Sequence, residues 1–280
     1  MVLYDPAMGT IAVGTDVHRA WKPPIAGIRE VFHARMREHA YPPHTHDVWT
    51  VFIVDDGAIR YSLDRHSHGA DETHLTVLPP FVVHDGRAAS DAGFQKRVLY
   101  LETSLLSEQL VGAAVDRPVM PDPALTRAVS RLHDALDCAD DLLEAETRLA
   151  FLTERIRRLL GEATPEATFP GDPDVAEQLR AYLDAHLFEP VTIAAAAAAI
   201  GSSATGIARA FSSAFGIAPH AYVVSRRLEA ARDRILRGQS LADVAIEVGF
   251  VDQAHLTRRF DRFLGTTPGR FRDAGAAIGP

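Results

Sequence analysis

At 280 residues and 47 % hydrophobic content, the chain is long enough to bury two ordinary cores. Its net charge of −8 argues against indiscriminate nucleic-acid binding, and its single cysteine, Cys138, permits no internal disulfide and reads as a small apolar filler. No basic segment precedes an apolar run near the start, and the longest apolar stretch, Val191 to Ile200, is far below the roughly 20 residues of a membrane span, so a soluble cytoplasmic protein with no membrane partner is expected.

Residues 25 to 103 read as strands. Val48, Thr50, Phe52 and Val54 alternate with Trp49, Val51 and Ile53, so this strand is expected to be covered on both faces. Asp55-Asp56-Gly57 makes a hairpin turn, Ile59, Tyr61 and Leu63 alternate with polar partners, and a loop rich in His and Gly follows. Leu75 to Leu78 resumes before Pro79-Pro80, and Arg97 to Leu101 is a further short strand. Strands at this spacing predict a sandwich or jelly-roll barrel, and small barrels of this kind hold one ligand. Pro43-His44-Thr45-His46 before the long strand, with Pro79-Pro80 to His84-Asp85-Gly86 after the hairpin, resembles a cupin-type effector domain.

His44 and His46 flank Thr45, so on a strand both rings point to one face, and His84 can approach from a neighbouring strand. Three imidazoles suit zinc or iron. Metal-binding cupins add a carboxylate several residues after the second His, and the matching region here, Val48 to Val51, has no Glu. The expectation is therefore a metal-free polar pocket for a small molecule, lined by His44, His46, Trp49, Tyr61 and His84, with Arg60 and Tyr100 as further walls. A divalent metal ion on His44, His46 and His84 is the alternative. His66, His68 and His74 read as an exposed cluster without a metal, and aromatic residues on strands serve equally as plain core.

Asp122-Pro123 starts a helix carrying Leu125, Val129, Leu132 and Leu136. A second helix, from about Asp140 to Leu160, sets Leu142, Ala145, Leu149, Leu152, Ile156 and Leu159 on a heptad-like seam. Such a seam serves packing within one subunit or pairing of two. Gly161 to Pro173 contains three Pro and no apolar period, and reads as a linker.

Near the end of the chain, Ser240 caps a helix from Leu241 to Val248 whose Leu241, Val244, Ala245 and Val248 share a face. Gly249 supplies the left-handed turn and Phe250 plugs the angle behind it. Asp252 caps a second helix to about Leu264, with Leu256, Phe260 and Phe263 inward and Gln253, His255, Thr257, Arg258, Arg259 and Arg262 outward. Two helices in this arrangement form a helix-turn-helix whose second helix can enter a major groove. Charge agrees: residues 1 to 171 hold 17 basic and 25 acidic side chains, whereas 204 to 272 hold 11 Arg against 6 acids.

This stretch resembles the C-terminal signature of the AraC/XylS family of bacterial transcription regulators. The resemblance rests on Arg226-Arg227-Leu228, Ala230-Ala231, Gly238, Val244-Ala245, Gly249-Phe250, Asp252-Gln253, His255-Leu256, Arg258, Phe260, Gly265, Thr267-Pro268 and Phe271-Arg272. The family carries two such units joined by a long helix, which implies another upstream. Thr192 can cap Ile193 to Ile200, Gly201 makes the turn, Ser203 caps Ala204 to about Phe215, Gly216 closes it, and a linking helix runs from about Pro219 to Leu236. Ser203, Ile207, Arg209, Phe211, Phe215-Gly216, Pro219 and Tyr222 match the frame. Thr205, Gly206 and Ala208 stand where the family places bulkier groups, and Gly206 costs roughly 1 kcal/mol relative to Ala. The first unit is thus expected to hold the DNA backbone and the second to read bases, with Gln253, His255 and Arg258 toward base edges and Thr205, Arg209, Arg259 and Arg262 mixed or phosphate-facing.

The resulting expectation is an α+β multidomain protein. A cupin-like ligand-sensing barrel (1–105) is followed by a helical dimerisation or packing segment (106–160), a linker (161–173) and an all-α double helix-turn-helix domain (174–275). The resemblance implies a sequence-specific regulator, not an enzyme, whose partners are a double-stranded DNA operator, a small-molecule effector, a second copy joined through the helical segment and, for an activator, RNA polymerase. A metal-dependent cupin enzyme with an accessory helical tail, and a DNA-binding protein whose barrel serves only to dimerise, are the alternatives.

Overall fold

The computed structural model describes residues 10–13, 16–37, 40–137, 142–161 and 172–276. Cys138, the start of the second expected helix and most of the expected linker lie outside them. The chain divides into two compact units, residues 1–137 with 151–165 and residues 138–150 with 166–280.

The first unit contains strands β1 (Thr10–Val13), β2 (Asp16–Trp21), β3 (Ile28–Met36), β4 (Ala40–His44), β5 (Trp49–Gly57), β6 (Ile59–Leu63), β7 (His66–Ala70), β8 (Leu75–Leu78), β9 (His84–Ala88) and β10 (Phe94–Leu101). Helix α1 (Val111–Asp116), strand β11 (Val119–Met120) and helices α2 (Pro123–Leu136) and α3 (Leu142–Leu159) follow, with α3 divided after Ala150 between the units. Seven strands form one sheet in the order β1-β2-β3-β10-β5-β8-β11, and four form another in the order β4-β9-β6-β7. Phe52, Val54, Leu78, Phe94 and Val98 of the large sheet pack with Ile59, Tyr61, Leu63 and Ala70 of the small one, so the core lies between two sheets. On the other face of β5, Trp49, Val51 and Ile53 are fully buried as well, and α2 packs along β5 and β8. That double coverage is what the unbroken apolar run of β5 implied.

The His- and Gly-rich stretch expected as a loop is strand β7. Asp64 and Arg65, at φ of 42° and 69°, form a two-residue turn that returns His66 to Ala70 onto β6. Pairing with β6 through the alternate positions His66, His68 and Ala70 holds this stretch as an edge strand despite its weak strand propensity.

The seam on α2 and α3 is used within one chain. Leu125, Val129, Leu132 and Ile156 are fully buried, and Ala145, Leu149 and Leu152 nearly so. These side chains are therefore occupied within one chain. Leu159 is 43 % exposed, and Leu160, whose N–H reaches the Ile156 carbonyl at 2.9 Å, turns inward instead.

The second unit contains α4 (Pro173–Ala185), α5 (Ile193–Ile200), α6 (Ala204–Phe215), α7 (Pro219–Leu236), α8 (Leu241–Glu247), α9 (Gln253–Leu264) and α10 (Pro268–Ala276). The expected caps are present. Thr192, Ser203, Ser240 and Asp252 accept hydrogen bonds from the backbone N–H groups of Ala195, Gly206, Asp243 and His255 at 3.1, 3.0, 3.1 and 2.6 Å. Gly201, Gly216 and Gly265 close their helices in the left-handed region.

Helices α4 and α10 fall outside the sequence expectations. α4 is capped by Asp172 and buries Ala176, Leu179 and Leu183. α10 brings the Phe271 ring to 5.3 Å from that of Phe260. Phe263, expected inward, is 59 % exposed because Leu264 and Phe271 close that end of the core.

Among the left-handed glycines described in the second unit, Gly249 is the most constrained. At φ +82° a side chain is already strained, and a Cβ would lie 2.8 Å from the Phe188 carbonyl oxygen and 2.9 Å from Arg227 Cζ. Gly265 has a similar φ, yet a Cβ there meets nothing within 4 Å. Gly249→Ala should therefore destabilise the helical unit by roughly 1–3 kcal/mol, and Gly265→Asn by well under about 1 kcal/mol. Thermal unfolding of the two full-length variants, followed by circular dichroism, compares them directly; equal losses would remove the steric part of the argument.

Candidate ligand cavity and nucleic-acid interface

The first unit encloses a cavity of about 90 Å³ whose wall includes Tyr41, His44, His46, Thr50, Tyr61, His84, Lys96 and Tyr100. Antiparallel pairing of β4 with β9 sets His44 directly opposite His84. His46 reaches the same place from the turn after β4, and the Phe81 N–H holds its carbonyl at 2.7 Å. Phe81 adopts φ 62° to do so while remaining 66 % exposed, so this turn stores backbone strain beside the cavity. The ring centroids of His44 and His84 lie 4.4 Å apart, with His46 at 5.0 Å from the first and 5.2 Å from the second.

Electrostatics in the cavity are set by burial. His46 is pushed down to about 4 by desolvation and by neighbouring His84, His44 and Lys96. Burial also lowers His84, against the opposing pull of its bond to the Val82 carbonyl. Tyr100 is raised to about 12 by burial and by Glu30, and burial carries Tyr61 above the ordinary phenol range. The Thr50 hydroxyl is buried without a hydrogen-bond partner among the described residues.

Sequence reasoning missed Tyr41, Thr50 and, as the one cation among the described wall residues, Lys96. The alternation Phe94, Lys96, Val98 on β10 was the available signal, because it puts Lys96 in line with inward-facing residues. Its side chain keeps some contact with solvent, but its ammonium lies 4.3 Å from the Tyr41 ring centroid, and burial pushes it down to about 8. Two expected wall residues are elsewhere. Trp49 lies on the opposite face of β5, fully buried, with its indole N–H donating to the Leu106 carbonyl at 2.7 Å. Arg60 is exposed and borders a separate open depression with Arg87.

In the second unit, α9 presents Gln253, Arg258 and Arg262 to solvent, with Thr257 half-buried beside them. The Thr257 hydroxyl donates to the Gln253 carbonyl at 2.8 Å. Thr205 and Arg209 lie half-exposed on α6. His255 does not join the outward set. It is 4 % exposed and packs edge-on against Phe250 at 5.2 Å, because its position follows the cap and turns toward the hinge between α8 and α9.

Arg259 is also drawn inward, to the buried carboxylate of Glu144 at 2.6 Å. Glu144 belongs to the first half of α3 and also accepts from Arg148 at 2.6 Å, with His220 at 3.9 Å. Burial alone would raise the Glu144 carboxyl, but Arg259, His220 and Arg148 outweigh it and hold the group below its ordinary range. Two residues on, Glu146 accepts from the N–H groups of Ile193 and Ala194 at 2.5 and 3.3 Å and so caps α5 from outside. Neither glutamate had a signal in the sequence, since both look like solvated positions of an amphipathic helix. No single helix among the described residues is long and apolar enough to cross a membrane; α5 and α6 pass only together, with a 94° bend between them.

Two family models match the chain: an AraC-like ligand binding domain over residues 27–153 and a helix-turn-helix domain over residues 196–274. Among curated relatives, the chain is 22 % identical to an uncharacterized HTH-type transcriptional regulator, YbfI, of Bacillus subtilis, covering 77 % of this chain and 81 % of that one. It is 27 % identical to the transcriptional activator NphR of a Rhodococcus species, over 82 % of this chain and 71 % of the relative. It is 26 % identical to the virulence regulon transcriptional activator VirF of Yersinia enterocolitica, over 79 % and 88 % respectively.

Lys96 makes the cavity wall costly. Its folded value of about 8 lies below the ordinary 10.5, so its destabilising effect is complete below about pH 8 and fades as the pH rises toward 10.5. Lys96→Met should raise the melting temperature of the sheet unit at pH 7, with a gain that shrinks between pH 8 and 10.5. Melting curves across that range test it, and a lower melting temperature at pH 7 would contradict it.

Proposed function

Because the chain belongs to the AraC family of DNA-binding transcription regulators, with a ligand-binding N-terminal domain, we propose that α9 reads a double-stranded DNA operator and that the barrel cavity holds the effector that controls it. The observation that carries the first part is the outward set Gln253, Arg258 and Arg262 on a helix fixed at one end by the Asp252 cap and the Gly249 turn. Arg is suited to the guanine edge and Gln to the adenine edge. On α6, Thr205 and Arg209 hold the phosphate backbone, and specificity rests chiefly on α9.

The cavity supports the second part, because it gathers His44, His46, Tyr61, His84 and Lys96 around a small enclosed space. An effector can act only by binding two arrangements of the protein unequally. The Glu144–Arg259 pair offers such a difference, since Arg259 cannot serve a phosphate while its guanidinium is committed to a buried carboxylate. We read the barrel as a sensor and not as an enzyme, and the protein as a cytoplasmic homodimer that meets its copy through faces other than the buried α2 and α3 seam. An activator would add RNA polymerase as a partner. The segments 1–105, 106–160, 161–173 and 174–275 are the working domain frame.

Genomic fragments selected by the full-length protein supply the operator for testing. Arg258→Ala should weaken specific binding by about 1–3 kcal/mol with no change in melting temperature, and unaltered affinity would remove Arg258 from the reading set. Glu144→Gln should free Arg259, so that DNA affinity depends more steeply on salt, by about one phosphate contact. An unchanged salt slope would show that Arg259 does not reach the DNA.

A further inference from the structure

Taking the barrel as the effector site, we propose that His44, His46 and His84 bind one divalent first-row transition-metal ion, with zinc as the best match, through Nε2 of His44 and His84 and a ring nitrogen of His46. Each of the three residues offers a ligand atom, and these atoms all lie within 4.8 Å of one another. Zinc–nitrogen bonds of about 2.0–2.1 Å in a tetrahedral site put ligand nitrogens roughly 3.3 Å apart. The three rings therefore need only small side-chain rotations to converge.

Hydrogen bonding fixes which nitrogen is available. His44 Nδ1 lies 2.7 Å from the Pro42 carbonyl oxygen and His84 Nδ1 lies 3.0 Å from that of Val82. A carbonyl can only accept, so in both rings Nδ1 carries the proton and the Nε2 lone pair is left for a ligand. This is the outer-shell arrangement that metal-binding histidines use to fix ring tautomer and orientation. The same backbone holds the third ligand in place, through the Phe81 N–H on the His46 carbonyl at 2.7 Å.

Selectivity follows from what the site withholds. The two carboxylates next in sequence to the trio are engaged elsewhere: Asp47 pairs with Arg29 at 2.6 Å, and Asp85 accepts from the Ser62 N–H at 2.6 Å. The ligand set is then three neutral imidazoles, which suits zinc and its neighbours better than calcium or magnesium. The missing Glu that argued against a metal in the sequence changes the kind of ion instead of excluding it. A volume of about 90 Å³ is also small against the roughly 300–1,000 Å³ of pockets for drug-sized ligands, but ample for an ion with a water or small anion in a fourth position.

The test uses full-length protein stripped with a chelator and exchanged into metal-free buffer. Zinc titration calorimetry and elemental analysis should give one ion per chain, and cobalt(II) loading should produce the intense visible bands of a low-coordinate nitrogen site. His46→Ala, a half-buried position, should weaken zinc binding by more than roughly 100-fold, the upper end of what losing an outer-shell partner costs. His44→Gln should do likewise, and circular dichroism checks that both variants fold. His66→Ala with His68→Ala, on β7, should leave binding unchanged. Failure to take up zinc, or uptake that survives His46→Ala and His44→Gln in folded protein, overturns the proposal. DNA affinity of the stripped and loaded forms is read separately. Zinc uptake that leaves DNA affinity unaltered supports the metal site and counts against the barrel as regulator, so the two failures are distinguishable.

Discussion

Arg227 engages three backbone carbonyls: Leu187 at 2.7 Å, Glu189 at 2.6 Å and Gly249 at 2.6 Å. The first two lie just beyond α4 and the third is the turn between α8 and α9, so one planar guanidinium ties the helix that packs on α6 to the hinge that aims α9. A lysine has one point charge and could not span the three acceptors in this geometry. Gly249 is the matching constraint, since its left-handed turn presents the carbonyl while leaving room for the Arg227 head. Arg227 thus links the first helix-turn-helix to the second by polar contacts, while the second has its own apolar core of Leu228, Ala231, Ile235, Val244 and Phe260.

In the other unit the comparable constraint is strand register. Residues on opposite faces alternate, so a one-residue slip between β4 and β9 would carry His44 or His84 to the far side of the sheet and dismantle the cavity. The observed register sets Ala40 opposite Arg87, Tyr41 opposite Gly86 and His44 opposite His84, and the Phe81 N–H bond to the His46 carbonyl fixes the turn that follows β4. Placing three imidazoles, a threonine hydroxyl and a lysine inside a sheet core costs stability without adding to packing. Such polar interiors are expected where an element is kept for binding.

The helical half was legible in the sequence because its signals are local. Ser203, Ser240 and Asp252 declare helix starts and Gly201, Gly216 and Gly249 declare turns through hydrogen bonds and φ angles that depend on a few neighbouring residues. The strands were legible where alternation was strong, in β5, β6 and β8. They were misread at His66 to Ala70, where long-range pairing, and not propensity, decides the conformation. Lys96 went unnoticed because a cation seldom occupies an inward strand position. Burial of His255 and the pairing of Arg259 with Glu144 were not readable, since each depends on an element distant in sequence. A helical wheel for α9 alone assigns both residues to the outside.

The Glu144–Arg259 contact has a consequence for how control and recognition are linked. A buried carboxylate held below its ordinary range by Arg259, His220 and Arg148 stays charged, so removing Arg259 from it leaves an under-compensated charge in a poorly solvated place. On the proposed function, a phosphate competing for Arg259 would have to offset that cost, and the first half of α3 would then take part in DNA affinity without carrying a reading side chain. Linkage is reciprocal: any change that loosens α3 there favours the phosphate, and DNA that captures Arg259 loosens α3 by the same free energy. Arg258, one position earlier and fully outward, escapes this competition. Under the proposed function, adjacent arginines on one helix would divide the work, Arg258 meeting DNA whatever the state of α3 and Arg259 only when the carboxylate lets go.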